Sequence, residues 1–340
     1  MRLDAPVQPA EVLYAKDMSY DELVGLSGRT WLKKLVTDGS EEYAAFAFLH
    51  KALPDCDIHW TYELNGKVYD SDVTELTVDT TDGLHEALQC LPDVETVDMT
   101  SFEPDTETLD SLIADYPQIQ FLFYVHFGHK TVRSDITCFS TLIGLDSDIF
   151  TSETISPLFK YCKHLRALDI GHNRLTDLTE LGTLTELQVL IIADNKMTDI
   201  SPIGNLVNLE YLELFLNRKV TDLSALSNLT KLKYLNLGYL TRIKDIDFIE
   251  DLPELKMLWT RGSGVPKALM KEYEEKYPDI QFHYTCSNGS STCHGWRATE
   301  ENLSIRKAFR NWQKVSEFRS MNDVEYFPDV DLFIPEPSYK

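Results

Sequence analysis

The sequence predicts an α/β solenoid, in which successive coils of the chain stack and each contributes one strand to a parallel sheet. Leucines recur with a period of 22 or 23 residues, and the periods start at Leu165, Leu187, Leu209 and Leu232, with a degraded start at Leu255. Each period follows the pattern L-x-x-L-x-L-x-x-N, and its middle residues alternate between apolar and other types as in a short strand. A fixed period of this kind predicts a repeat architecture.

This unit is typical of a leucine-rich repeat solenoid, because one coil cannot bury its own leucines and several coils must stack. We expect a right-handed solenoid whose parallel strands form its concave side. The alternative is an ordinary amphipathic helical array. Two regular features argue against it: a Thr-Asp phrase that suits tight turns recurs at residues 176, 198 and 221, and an asparagine recurs at 173, 195 and 217. We expect these asparagine amides to bond backbone groups at the bend after each strand, since a buried amide must be satisfied.

A longer and less regular repeat flanks the leucine pattern. Helical stretches over Glu42–Leu53, Thr106–Tyr116 and Lys267–Tyr277 are each followed by a proline and then an alternating strand, and Asn65-Gly66 is typical of a hairpin turn. We predict an N-terminal arm over 1–40, irregular helix-backed coils over 41–160, regular repeats over 161–265, a C-terminal cap over 266–320 and a tail over 321–340. An independent N-terminal α/β domain is the alternative for residues 41–160.

The C-terminal cap is predicted to be helical. Residues 297–319 are basic and carry apolar side chains at helical spacing: Leu303, Ile305, Phe309, Trp312 and Val315. Every repeat array must hide the open hydrophobic end of its last coil. We therefore expect this segment to cover that end.

Composition disfavours several partners. The formal net charge of −23 repels phosphate backbones and anionic lipid, so neither nucleic acid nor a charged membrane surface is expected as a ligand. No apolar run approaches the ~20 residues that span a bilayer. Met1–Asp17 lacks the apolar core of a signal peptide, although an export signal or anchor removed upstream of this start would be invisible.

Two cysteines differ from the other four in their surroundings. Cys286 and Cys293 flank a polar Ser, Gly and Thr run, as in a loop closed by a disulfide, and such a bridge would indicate an oxidising compartment. Two free thiols are the alternative. With His283 and His294 they also form an H-x2-C-x6-C-H cluster, but this spacing matches no zinc motif, so no metal is predicted.

The repeats resemble bacterial leucine-rich repeats of the internalin-like type, with their short 22-residue unit. More broadly, the chain resembles leucine-rich repeat proteins of gut-dwelling Firmicutes. The phrases that carry the resemblance are Tyr161–Leu165, Leu168–Asn173, Leu209–Phe215 and Gly295-Trp296-Arg297, and it covers most of residues 50–310. Many members of that group look exported or lipid-anchored, and the resemblance implies no molecular function residue by residue.

The outward side of the predicted strands is unusually apolar. Alternate strand residues face away from the leucine core. The predicted binding residues are Val189, Ile191, Tyr211, Glu213, Phe215, Tyr234, Asn236, Tyr239, Met257, Trp259 and Arg261. Adjacent exposed aromatics are unfavourable in water and enriched at interaction hot spots. We therefore predict that a protein or peptide docks here, anchored by Tyr211, Tyr234 and Trp259. Alternatively, Asp323–Lys340 or the N-terminal arm folds back over these residues.

The sequence favours recognition over catalysis. It has no phosphate-binding loop, nucleophile elbow or H-E-x-x-H motif, and no cofactor is predicted. We expect a non-enzymatic protein-binding module at the bacterial cell surface or outside the cell. The alternatives are an intracellular, cytoplasmic scaffold or regulatory adaptor, and a repeat-bearing hydrolase whose active site would have to lie in residues 1–160.

Overall fold

The computed structural model describes residues 11–128, 130–141, 149–285, 296, 299, 302, 305 and 309. The chain divides into two compact units, Met1–Phe123 and Tyr124–Lys340. The dividing point lies inside the range 41–160 that we predicted as irregular coils, and the predicted domain boundaries stay predictions. Within the described residues, no helix is long and apolar enough to cross a membrane.

The first unit is built from helix-to-strand coils. Its strands are β1 (Val12–Tyr14), β2 (Lys34–Val36), β3 (Asp57–His59), β4 (Thr61–Leu64), β5 (Lys67–Asp70), β6 (Glu75–Thr77), β7 (Thr96–Asp98) and β8 (Gln120–Leu122). Its helices are α1 (Tyr20–Val24), α2 (Tyr43–Ala52), α3 (Leu84–Cys90) and α4 (Thr106–Asp115). Strands β1-β2-β3 and β6-β7-β8 form two parallel sheets.

Local sequence signals explain several of these elements. The predicted hairpin turn is confirmed: β4 pairs antiparallel with β5, and Asn65 and Gly66 have φ of 51° and 78°, which a type I′ turn requires. Helix α4 begins where the Asp105 carboxylate accepts a hydrogen bond from the Thr108 N–H at 2.9 Å. The core of this unit packs around Phe46 and Trp60.

The second unit contains a seven-stranded parallel sheet in which the strands follow chain order. They are β11 (Cys138–Ser140), β12 (Ala167–Asp169), β13 (Val189–Ile191), β14 (Tyr211–Glu213), β15 (Tyr234–Asn236), β16 (Met257–Trp259) and β17 (Gln281–His283). The antiparallel pair β9 (Tyr124–Phe127) and β10 (Lys130–Arg133) and helix α5 (Ser152–Tyr161) precede the regular coils, and α6 (Lys267–Lys276) leads into β17. The predicted α/β leucine-rich repeat fold is confirmed.

The regular coils stack in register. Short 3-10 helices return the chain between strands, at Leu181–Thr183, Ser201–Asn205, Ser224–Asn228 and Asp247–Asp251. The central strand leucines pair across neighbouring strands and are fully buried: Leu168, Leu190, Leu212, Leu235 and Leu258. Each coil thus shields the leucines of its neighbour, which is the reason for the fixed period.

The predicted asparagine ladder is confirmed. The Asn195 side chain accepts a hydrogen bond from the Leu175 N–H at 3.0 Å and donates to backbone carbonyls, that of Ile170 among them. Asn173 and Asn217 make bonds of the same kind. The ladder fixes the bend after each strand by satisfying backbone groups that the core would otherwise leave unpaired.

The residue before each asparagine of the ladder, and the matching residue of the next coil, adopts a left-handed backbone. His172, Asp194, Leu216 and Tyr239 have φ between 50° and 66°, and Gly262 has φ of 69° at the matching place in the next coil. Residues other than glycine rarely adopt this backbone conformation. The stacked coils therefore impose the bend on whichever residue stands at this point of the repeat.

Candidate functional site

The strands β12 to β16 place alternate side chains on the side of the sheet that faces away from the leucine core. We call this surface the sheet face; its residues are Ala167, Asp169, Val189, Ile191, Tyr211, Glu213, Tyr234, Asn236, Met257 and Trp259. The in-register pairing aligns them in two columns along the sheet, one running through Tyr211 and Tyr234 and the other through Glu213 and Trp259. The predicted juxtaposition of these residues is thus present.

The prediction that the sheet face is open to solvent is wrong. Eight of the predicted binding residues are between 0 and 9 % exposed: Val189, Ile191, Tyr211, Glu213, Tyr234, Asn236, Met257 and Trp259. They are buried because Trp296, Ile305 and Phe309 pack with the sheet face in one hydrophobic cluster. Whether these residues bind a partner stays a prediction.

Among the described residues, two hydrogen bonds join the C-terminal residues to the sheet face. The Trp296 Nε1–H donates to Glu213 Oε2 at 2.9 Å, and the Asn302 Nδ2 donates to the Tyr211 hydroxyl oxygen at 2.8 Å. The Trp296 ring also lies 5.4 Å from the Tyr211 ring and 5.8 Å, edge-on, from the Trp259 ring. The contact therefore combines apolar burial with specific polar pairing, as a recognition surface does.

Three of the contacting residues have helical backbone. They are Asn302, Ile305 and Phe309, and their spacing of three and four residues places them on one helical face. We predicted that this segment covers the open end of the solenoid; for its described residues that prediction is wrong, because Ile305 and Phe309 lie on the sheet face. The sheet face and the open end both offer apolar surface to this segment, and its described residues pack on the sheet face. The other predicted cover, Asp323–Lys340, lies outside the described residues.

Trp259 occupies a distinctive position on the sheet face. Its ring stacks on His283 of β17, with centroids 4.3 Å apart and planes at 17°. Its Nε1 is buried and has no hydrogen-bond partner among the residues that the structure describes. Within the same described part of the chain, Asn302 Oδ1 is likewise buried and has no partner.

Three predicted binding residues remain partly accessible. Phe215, Tyr239 and Arg261 are half-buried and lie just beyond the carboxyl ends of strands β14, β15 and β16. The Phe215 and Tyr239 rings meet edge to face at 5.4 Å. These residues form an accessible rim beside the covered part of the sheet face.

The cysteines offer no reactive site within the described residues. Cys56, Cys90, Cys138 and Cys162 are free thiols and buried. Burial raises the pKa of Cys90 to about 11 and the pKa of Cys162 far above its ordinary value, so both thiols stay protonated near neutral pH. In the part of the chain that the structure describes, no group of three or more His, Cys, Asp or Glu side chains could hold a metal ion. The predicted disulfide partners Cys286 and Cys293 lie outside the described residues.

Comparisons with known proteins agree with the repeat fold. Residues 185–228 match the family described as "Leucine Rich repeats (2 copies)". The structure is similar to an internalin of Listeria monocytogenes (18% identity, TM-score 0.33, covering 78% of this chain and 78% of that one). It is also similar to internalin C2 of the same organism (18%, 0.33, 78% and 92%) and to a leucine-rich repeat protein of Leptospira interrogans (16%, 0.35, 77% and 74%). A search of curated proteins finds no match. The family match confirms the predicted leucine-rich repeats over residues 185–228.

Proposed function

We propose that this chain is a non-enzymatic protein-binding module whose sheet face binds a helical segment with aromatic and apolar anchors. Leucine-rich repeats as a class present an extended surface for binding proteins. The observation that supports the sheet face as the site is the segment it already holds. Trp296, Ile305 and Phe309 are 5 %, 1 % and 1 % exposed, so the face buries such anchors almost completely.

The composition of the sheet face fits a binding site better than a structural core. Besides its apolar side chains, this face presents a buried carboxyl group on Glu213 and a hydroxyl on Tyr211, each hydrogen-bonded to the C-terminal residues. Tyrosine and tryptophan are the residue types that carry most binding energy at protein interfaces. We therefore propose that a partner helix replaces the chain's own segment, using the same anchor positions.

The location of the protein belongs to the same proposal. We propose that it acts at the bacterial cell surface or outside the cell, with a cytoplasmic scaffold or adaptor as the second candidate. A Cys286–Cys293 bridge in native protein would support the first location, and two free thiols in freshly purified native protein would support the second. Thiol labelling before and after reduction, followed by mass spectrometry, distinguishes the two.

Exchange of the C-terminal segment tests the binding site directly. A site-specific protease sequence is inserted after Gly289 in the full chain, the folded protein is cleaved, and a fluorescent peptide of residues 295–319 is added. We expect the peptide to replace the cleaved segment with saturable binding. Tyr211→Ala should weaken the binding strongly, and Tyr211→Phe, which keeps the ring, should weaken it less.

Val207→Ala is the matched control, because Val207 is exposed at 46 % and belongs to the same repeats but not to the sheet face. It should leave peptide binding unchanged. The proposal fails if the cleaved segment never exchanges under native conditions. It fails equally if peptide binds with the same affinity to the wild-type and Tyr211→Ala proteins.

A further inference from the structure

We infer that the partner helix carries an aspartate or glutamate side chain that pairs with Arg261 on the rim of the sheet face. This inference rests on the proposed function and names one chemical group of the partner. Arg261 is half-buried and follows Trp259 by two residues, which is roughly 7 Å along a strand. A helix that lies on the sheet face can therefore reach it.

The backbone at the end of β16 directs the Arg261 side chain to the outward side of the sheet. Thr260 is 2 % exposed, and its Oγ1 donates to Met270 Sδ of α6 at 3.5 Å, so its side chain points to the core. The Thr260 N–H donates to the His283 carbonyl at 3.1 Å, which continues the ladder beyond Trp259. Successive residues of an extended chain point to opposite sides. Arg261 thus lies on the same side of the sheet as Trp259.

Two glycines hold the aromatic rings of the rim close to Arg261. A Cβ at Gly238 would lie 3.0 Å from Phe215 Cδ2. A Cβ at Gly262 would lie 2.9 Å from Tyr239 Cδ1. Both rings therefore lie directly on glycine backbone, and they meet edge to face at 5.4 Å. The Tyr239 N–H donates to the Arg261 carbonyl at 2.9 Å, so the aromatic part of the rim adjoins the arginine.

The Arg261 guanidinium lacks an anion. Within the part of the chain that the structure describes, it makes no hydrogen bond or ion pair. By contrast, Lys233 pairs with Glu210, and Lys276 pairs with Glu250. A guanidinium is always charged and carries five donors, and partial burial removes part of its hydration. The group that complements the rim is therefore an anion.

A carboxylate fits this position better than a phosphate. Recognition of phosphorylated peptides uses clusters of arginines, whereas the rim holds one cation. One guanidinium matches one carboxylate through two parallel hydrogen bonds. The net charge of −23 repels acidic partners in general, so a single acidic residue at this position would serve to fix the orientation of the partner helix.

Selection from a peptide library tests the inference. A displayed library based on residues 291–323, randomised at one position at a time, is selected against the full chain cleaved after Gly289. Parallel selections use the Arg261→Gln protein and the Arg218→Gln protein. Arg218 is exposed, belongs to the same repeats and lies outside the sheet face, so its substitution changes the net charge equally. We expect Asp or Glu to be favoured at one position with the wild-type and Arg218→Gln proteins only.

The selected acidic peptides should bind the Arg261→Gln protein about fivefold or more weakly than the wild type. Charge reversal provides a second readout: with Arg261→Glu, lysine at the same peptide position should bind more tightly than the acid. Peptides that replace the segment without an acidic preference, or that bind the wild-type and Arg261→Gln proteins equally, would overturn this inference and leave the proposed function standing. If no library member replaces the segment, the proposed function fails and this inference fails with it.

Discussion

Replacing Trp296 by phenylalanine should loosen the C-terminal segment without unfolding the repeats. The substitution removes the N–H that donates to the buried Glu213 carboxylate at 2.9 Å and keeps an aromatic ring in the cluster. A hydrogen bond to a charged group contributes about 1.5–3 kcal/mol net. Because about 1.4 kcal/mol corresponds to a factor of ten, the equilibrium constant for docking of the segment should fall roughly 10- to 150-fold.

Hydrogen exchange measures this change locally. Amides in the segment exchange by local opening, whereas amides of the parallel sheet exchange only when the repeats open. We therefore expect the protection of residues 299–309 to fall by the factor given above in Trp296→Phe. The protection of β13 and β14 should stay as in the wild type, which shows that the repeats remain folded.

A double-mutant cycle separates the hydrogen bond from the smaller ring. Glu213→Gln keeps an acceptor but removes its charge, so the two substitutions together should cost less than the sum of each alone. A coupling energy near zero would refute the assignment of this bond as a main contact of the segment. So would unchanged segment protection in Trp296→Phe.

Three further perturbations test the repeats themselves. Asn195→Ala should lower the free energy of unfolding by about 2–3 kcal/mol in urea titrations, because the buried Leu175 N–H loses its acceptor; a loss below about 0.5 kcal/mol would contradict the ladder. Gly264→Ala should lower the free energy of unfolding by about 1–3 kcal/mol, because the new Cβ would press against two backbone carbonyl oxygens. Gly28→Ala is the control, because a Cβ there would meet nothing within 4 Å. Cys162 should react with iodoacetamide at pH 8 only after unfolding, because burial raises its pKa and closes access to its thiol; rapid native labelling would contradict its placement.

The sequence predicted the repeats well because their determinants are local. A period of 22 or 23 residues fixes which leucines are buried, and the asparagine at the bend follows from the same spacing. The sheet-face residues were also predicted correctly as neighbours, since pairing in register aligns Tyr211 with Tyr234 and Glu213 with Asn236. Periodicity carries this information without any knowledge of distant contacts.

The cover on the sheet face could not be predicted in the same way. Trp296 meets Glu213 across 83 residues and Asn302 meets Tyr211 across 91 residues, and no repeat spacing encodes either pair. The apolar pattern of the C-terminal segment indicated that it packs somewhere, but the open end and the sheet face both offer apolar surface. The unusual number of aromatics on the outward side of the strands was the available signal that this face is buried by something.

The aromatic side chains on the sheet face indicate that it is covered, and they suit the chain's own segment and a partner helix equally. The docking equilibrium of the segment explains how both can use the same surface. A ligand that must replace the segment binds with its intrinsic affinity reduced by the fraction of molecules in which the segment has left. If docking of the segment were worth roughly 3 kcal/mol, about one molecule in 150 would be open, and apparent affinity would fall by that factor. A partner helix would therefore fill most of the sheet faces only at concentrations that exceed its intrinsic Kd by about that factor.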